Sequence, residues 1–174
     1  MLKNIALVGH MGSGKTTLGK LISKKLNYIH LDSDELIEKH EKKSINEIFT
    51  NNGEPYFRII EEQIILNLIN KQKTVLSLGG GSILSKKVRD YLKNQFITVF
   101  IDVELNIIIE RLKKSRNRPL LNKTDIKKKI IELDNNRRAY YLLSDIKLKN
   151  FKNPFDGLKN FLIQYSKFYD EKNN

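Results

Sequence analysis

Near the start of the chain, GHMGSGKT (9–16) fits the pattern G-x-x-x-x-G-K-[ST] at every fixed position. Glycines at these positions let backbone N–H groups curl around a phosphate chain without Cβ clashes. The helix expected to follow adds the partial positive charge of its N-terminus. Lys15 can then reach β- and γ-phosphates, and the Thr16 hydroxyl can ligate Mg²⁺. Gly12, Ser13, Gly14, Lys15, Thr16 and Thr17 are therefore the expected nucleotide contacts. The motif implies binding of a nucleoside triphosphate and says nothing of the second substrate.

Other residues could supply that second half. LDSDELIE places Asp32 and Asp34 two residues apart, a spacing that in extended backbone aims both side chains the same way. One could serve a metal shell while the other accepts a hydrogen bond from an acceptor hydroxyl; equally, Asp32 or Ser33 could cap the next helix. Arg58 in PYFRIIEE could grip a substrate carboxylate in bidentate fashion, or pair on the surface with Glu61 or Glu62. Gly79, Gly80 and Gly81 could form a tight turn, or let a ligand approach the backbone closely.

RNRPLLNKTD (116–125) has two incompatible readings. N-K-x-D (Asn122, Lys123, Asp125) is the guanine-reading tetrapeptide of small GTPases, whereas R-P-L-L suits the arginine-bearing lid of a small-molecule kinase. A guanine reader needs a buried strand just before it, and LKKSRNRPLL is polar and broken by proline. It also needs D-x-x-G after the third strand, where this chain has SLGGG. The segment is expected to be a mobile lid at about 113–125, with Thr124 or Asp125 capping the helix beyond it.

The elements that must position these residues alternate. Apolar runs at 4–8, 28–31, 74–78 and 96–101 read as strands, with a weaker fifth at 145–149. Between them lie helical patterns: Leu18, Leu21, Ile22 and Leu26; SDELIEKH; a stretch after Gly53 carrying Phe57, Ile60, Ile64, Ile65 and Leu68; LNIIIERLKK; DIKKKIIELDNNRRAYYLL; and FDGLKNFLIQYSKFY. SINE (44–47) fits a capping box. Such alternation predicts an α/β three-layer sandwich with a five-stranded parallel sheet, the P-loop NTPase arrangement, in one domain over 1–174. Ligands in such sheets sit beyond the carboxyl ends of the strands, where Gly9, Asp32 and Gly79 fall.

The 174 residues carry no cysteine, which excludes disulfides, thiol catalysis and cysteine-ligated zinc and accords with a cytoplasmic protein. The first apolar run is too short for a signal peptide, and no window reaches the roughly 18 to 20 apolar residues a membrane span needs. A net charge of +12 could mark nucleic-acid binding, but the lysines are scattered and interleaved with acids. No nucleic-acid or membrane partner is expected, and the basic field favours small anionic substrates.

GHMGSGKTTLGKLISKKL, LDSDELIE, SINEIFTNNGEPYFRIIE, LGGGSIL, RPLL and NP, in this order, closely resemble the shikimate kinase family over about residues 4–155. The resemblance implies a nucleoside monophosphate kinase-like fold and transfer of the ATP γ-phosphate to the 3-hydroxyl of shikimate, in the pathway to chorismate and aromatic amino acids. It also implies Mg²⁺ as cofactor, ATP and shikimate as partners, and a monomer. By the same resemblance Lys15 and Thr16 serve ATP and Mg²⁺, Asp32 supports the metal, and Asp34 holds the attacking hydroxyl. Arg58, Gly80 and Gly81 hold the rest of the acceptor, Arg118 is the lid arginine, and Arg111, Asn153 and Pro154 border the adenine. Arg137, four residues before Tyr141, is taken as the second carboxylate-binding arginine, with Arg138 as the shifted alternative. The family's proline in that segment, and the glutamate after the tyrosine, are missing here. Rival readings are a kinase of gluconate or nucleoside monophosphates, and a regulatory NTPase.

Overall fold

The computed structural model describes residues 3–68, 72–113, 125–149, 151 and 153–173. Five strands form one parallel sheet: β1 (Asn4–Val8), β2 (Ile29–Asp32), β3 (Thr74–Ser77), β4 (Phe96–Asp102) and β5 (Ile146–Lys149). Their spatial order is β2-β3-β1-β4-β5. β1 lies at the centre, with Ile5 opposite Val75 on one side and Ile97 on the other. Its Ile5, Ala6 and Leu7 are fully buried, as a strand covered on both faces requires. β5 is an edge, and its alternating exposed Lys147 and Lys149 discourage pairing with another chain.

Helices cover both faces. On one, α1 (Lys15–Leu26) and α7 (Pro154–Asn173) pack Leu18, Ile22, Phe161 and Tyr165 against Ile5, Leu7 and Val99. On the other, Ile65 of α3 (Ile45–Leu66), Val88 and Leu92 of α4 (Lys86–Gln95) and Tyr141 of α6 (Ile126–Tyr141) pack against Ala6, Val8 and Phe100. α5 (Leu105–Lys113) joins α6 through Ile108, Leu112, Ile130 and Leu133. Lastly α2 (Ser33–Glu41) packs Ile37 against Ile48, Phe57 and Ile60 of α3, a small satellite core beside the sheet.

Strand positions 4–8 agree with the sequence reading, and the bounds of the other strands differ from it by no more than one residue. Two differences are substantive. α4 has no counterpart among the expected helices: KKVRDYLKNQ has only Val88, Tyr91 and Leu92 as an apolar stripe on a strongly charged helix. The helix expected after Gly53 begins at Ile45, because the Ser44–Glu47 capping box starts it there. Gly53 interrupts it with φ 81° and ψ 171°, a conformation essentially confined to glycine, and Pro55 restarts the helical run. Asp125 caps α6 by accepting from the N–H groups of Lys127 and Lys128, while Thr124 lies outside the described residues.

Candidate active site

β1 ends in the loop that its glycines predict. Gly9, Gly12 and Gly14 all have positive φ, and Gly14 is the left-handed cap from which α1 starts. A β-carbon at Gly9 would lie 2.8 Å from the Ile101 carbonyl oxygen, so the loop crosses the end of β4 only because no side chain is there. Lys15 is buried, and its Nζ donates to the carbonyls of Gly9 (2.9 Å) and His10 (2.7 Å). Around this loop lies a cleft of about 610 Å³, within the range of small-ligand sites. Gly12, Ser13, Gly14, Lys15, Thr16 and Thr17 line it, with Arg111 and Leu112 from α5 and with Phe151, Asn153 and Pro154. Arg111 also donates to the Gly12 carbonyl at 3.0 Å. Asn153 Oδ1 caps α7 by accepting from Phe155 and Asp156, which puts Pro154 at the first helical position.

Asp32 and Asp34 both line this cleft, but not for the reason the spacing suggested. The strand stops at Asp32, and Asp34 belongs to the first turn of α2. Asp32 does two jobs at once. Its Oδ1 accepts from the Asp34 N–H (3.0 Å) as helix cap, and its Oδ2 accepts from the Thr16 hydroxyl (2.7 Å). Ser33 turns elsewhere and accepts from the Gly79 N–H at 2.8 Å, which ties β2 to the triple-glycine turn.

A second, narrow recess of about 70 Å³ opens beside the first. Asp34, Gly79, Gly80 and Met11 line both cavities, so the two meet there. Arg58 and Arg137 border the recess, together with Gly81, Glu61 and the apolar Ile45, Phe49 and Phe57. Arg58 donates to Glu61 Oε2 (2.7 Å) and, through Nη2, to Glu54 Oε1 (2.9 Å). Burial alone would lower its pKa; the two carboxylates outweigh that and hold it above the ordinary value. Its partners are Glu61, as one sequence reading had it, and Glu54 rather than Glu62. A β-carbon at Gly81 would fall on the Arg58 guanidinium, so glycine there is what lets the arginine lie against the turn.

Arg137 is 2% exposed, and its Nε and Nη1 have no hydrogen-bond partner. Leaving buried donors unpaired costs roughly 1–3 kcal/mol apiece, a cost that an incoming carboxylate would reduce. Burial pulls its pKa below the ordinary value, with Tyr141 partly offsetting the effect. Tyr141 is itself pushed up to about 12 by burial, and its hydroxyl donates to the Gly80 carbonyl. Arg138 points elsewhere, toward Asp102 at 3.3 Å and Asp134 at 3.5 Å. Arg118 lies outside the described residues, as do positions 114–124 of the segment 113–125 that was expected to form a lid.

Three kinds of participant were missed or underrated from sequence. Glu61, weighed there only as a surface partner of Arg58, is 2% exposed and joins Arg58 to the turn through the Ser82 hydroxyl (2.6 Å). Ile45 and Phe49 line the recess as part of an unrecognised helix start. His10, inside the phosphate loop, and Asp134, far along the chain, meet at 2.7 Å, and no local pattern announces a contact across 124 positions.

The shikimate kinase family model matches residues 11–154. The chain belongs to the shikimate kinase family. A shikimate kinase from Aquifex aeolicus (strain VF5) is 39% identical over 160 residues, 91% of this chain and 94% of the relative. A solved shikimate kinase from Acinetobacter baumannii, in complex with shikimate, superposes with TM-score 0.89 and 31% identity, covering 96% of this chain and 94% of that one. A gluconokinase from Sinorhizobium meliloti has TM-score 0.59 at 14% identity, a likeness of fold alone. Membership of the shikimate kinase family carries the activity with it: an ATP-dependent kinase that phosphorylates shikimate.

Proposed function

We propose that the larger cleft takes ATP and the recess takes shikimate, with the γ-phosphate delivered to the 3-hydroxyl where the two cavities meet. The observation that carries this is their shared wall: Asp34, Gly79 and Gly80 border both. A hydroxyl held by Asp34 then faces the phosphate end of the cleft, which is the alignment that phosphoryl transfer demands. Arg58 and Arg137 hold the acceptor's carboxylate, Arg137 with donors that nothing in the protein engages. The turn at Gly80 and Gly81 borders its ring.

Lys15 leaves the carbonyls of Gly9 and His10 for the phosphoryl oxygens, and the N–H groups of Gly12 to Thr17 cradle the phosphate chain. Arg118, on the lid, neutralises charge on the transferring group. Arg111, Asn153 and Pro154 border the base. Thr16 and Asp32 present a hydroxyl and a carboxylate oxygen 2.7 Å apart beside the phosphate loop, a hard-oxygen donor pair that suits Mg²⁺. Among the described residues, no group of three or more His, Cys, Asp or Glu side chains converges on a metal position. That fits an ion held by one or two protein groups with phosphate and water; bound there, it would offset charge on the phosphate oxygens. No described helix is long and apolar enough to cross a membrane. We place the protein in the cytoplasm as a monomer that uses small anionic substrates.

A coupled ADP-release assay over shikimate, gluconate, several nucleoside monophosphates and no acceptor tests this reading. Turnover is expected with shikimate and, at comparable rate, with nothing else. Higher turnover on gluconate or a nucleotide, or ATP hydrolysis without acceptor at the kinase rate, overturns it.

A further inference from the structure

His10 and Asp134 form a buried pair that the roles above leave unused. His10 is 2% exposed and sits in the phosphate loop, two residues before Gly12. Asp134 is 8% exposed and lies on α6. The carboxylate can only accept, so the imidazole Nε2–H donates to it, across 2.7 Å. Nδ1 is buried without a partner, an arrangement tolerable for a bare lone pair but not for an N–H. The ring also meets Tyr141 edge-on, centroid to centroid 5.3 Å.

On α6, Asp134, Arg137 and Tyr141 stand at i, i+3 and i+7, one face of the helix. That face touches three parts of the site. Asp134 holds the phosphate loop through His10, Arg137 borders the acceptor recess, and Tyr141 holds the Gly80 carbonyl. Phosphoryl transfer depends on the distance between a hydroxyl fixed from the recess and a phosphate fixed by the loop. α6 grips the protein on both sides of that distance.

We infer that His10 and Asp134 are positioning residues, a strut that fixes the phosphate loop relative to the helix bearing the acceptor's arginine. The inference rests on the two-cavity reading above. Losing the strut leaves each cavity able to bind its own ligand and spoils the alignment between the ligands.

Asp134→Ala should therefore lower kcat, with both substrates saturating, by about tenfold or more, since a misplacement of 1 Å can cost about 100-fold. Kd values for ATP and for shikimate, each measured alone by calorimetry, should stay at the wild-type level. Asp134→Asn keeps an acceptor oxygen for Nε2–H and should recover most of the turnover. Arg138→Gln, which removes the other partner of Asp134, should keep it entirely. The double variant His10→Phe/Asp134→Leu replaces the pair with packed apolar groups and should fold, as thermal melting checks, while kcat remains low. Wild-type kcat in Asp134→Ala or in the double variant overturns the inference. So does weakened binding with unchanged kcat, or equal damage in Asp134→Asn and Asp134→Ala. Wild-type turnover on shikimate in the same assay separates failure of this inference from failure of the two-cavity reading.

Discussion

Arg137 and Arg138 are neighbours in the chain and serve different masters. Each residue step along an α-helix rotates the side chain by about 100°, so two adjacent arginines cannot both enter one recess. The packing decides between them: Arg137 shares a face of α6 with Tyr141 and borders the recess, whereas Arg138 turns away to Asp102 at 3.3 Å and reaches Asp134 from its other flank at 3.5 Å. A bidentate guanidinium–carboxylate contact is worth roughly 1.5–3 kcal/mol when desolvated. Arg137→Ala should then raise the shikimate Kd by about 10- to 150-fold, read by titration calorimetry. Arg137→Lys should recover little, because an ammonium cannot supply the planar fork. An unchanged Kd in Arg137→Ala would move the carboxylate elsewhere. From sequence the choice rested on the four-residue spacing to Tyr141 alone; the missing proline had blurred the register. Residues whose placement is set by their own backbone, such as Gly12, Lys15 and Thr16, were legible because the loop motif specifies its geometry locally. His10 and Asp134 were not, since their meaning exists only once distant segments fold together.

At the scale of elements, α3 shapes the recess proposed for the acceptor. Gly53 bends the chain so that Ile45 and Phe49 before it, and Phe57 and Arg58 after it, face one recess. At φ 81° and ψ 171° an L side chain is strained by about 1–3 kcal/mol. Gly53→Ala should lower the Tm by about 2–12 °C, given roughly 2–4 °C per kcal/mol for a chain of this size, and differential scanning calorimetry reads it. The shikimate KM should rise in the same variant, because Arg58 stands five residues beyond the bend. An unchanged Tm would mean the backbone relaxes into an ordinary helix at no cost. The periodicity of hydrophobic residues displayed most elements, β1 to β4 best, because buried parallel strands are short, apolar and bounded by glycine or acid. It failed for α4, whose ten residues carry too few apolar positions to form a legible stripe. It also misplaced the start of α3, where the capping box at Ser44 was recognised but read apart from the helix that it opens. Asp34 shows a subtler difference: it lines the cleft, but a helix, not an extended strand, aims it there.

For the molecule as a whole, one buried histidine and one half-buried histidine couple the site to folding. Burial pushes both His10 and His30 below the ordinary value of 6.5. Around His10 the charges oppose one another. Asp134 favours the protonated form, Arg137 and Lys15 disfavour it, and burial outweighs them. His30, hydrogen-bonded to Ser77 at 3.0 Å, feels Asp32 and Glu35 against Lys20. A group whose folded pKa is depressed binds fewer protons when folded than when unfolded. Its stabilisation is complete above the unfolded value and is lost as the pH falls through that value toward the folded one. The carboxylates held low by hydrogen bonds, Glu47, Glu62 and Asp90, titrate below their ordinary 4.5, 4.5 and 3.8, which is below the range from pH 5.5 to 7.5. Urea unfolding at pH 7.5 and 5.5 should accordingly show lower stability at the acid end. The +12 charge works in the same direction, because each added proton increases self-repulsion in the compact state. His10→Gln retains an N–H that can reach Asp134 but cannot titrate, so it should flatten part of the difference, and that part should persist in 0.5 M salt, which screens away only the share due to the net charge. If His10→Gln leaves the pH difference intact, the loss belongs to His30 or to the surface charge, and the imidazole in the phosphate loop does not change its protonation on folding.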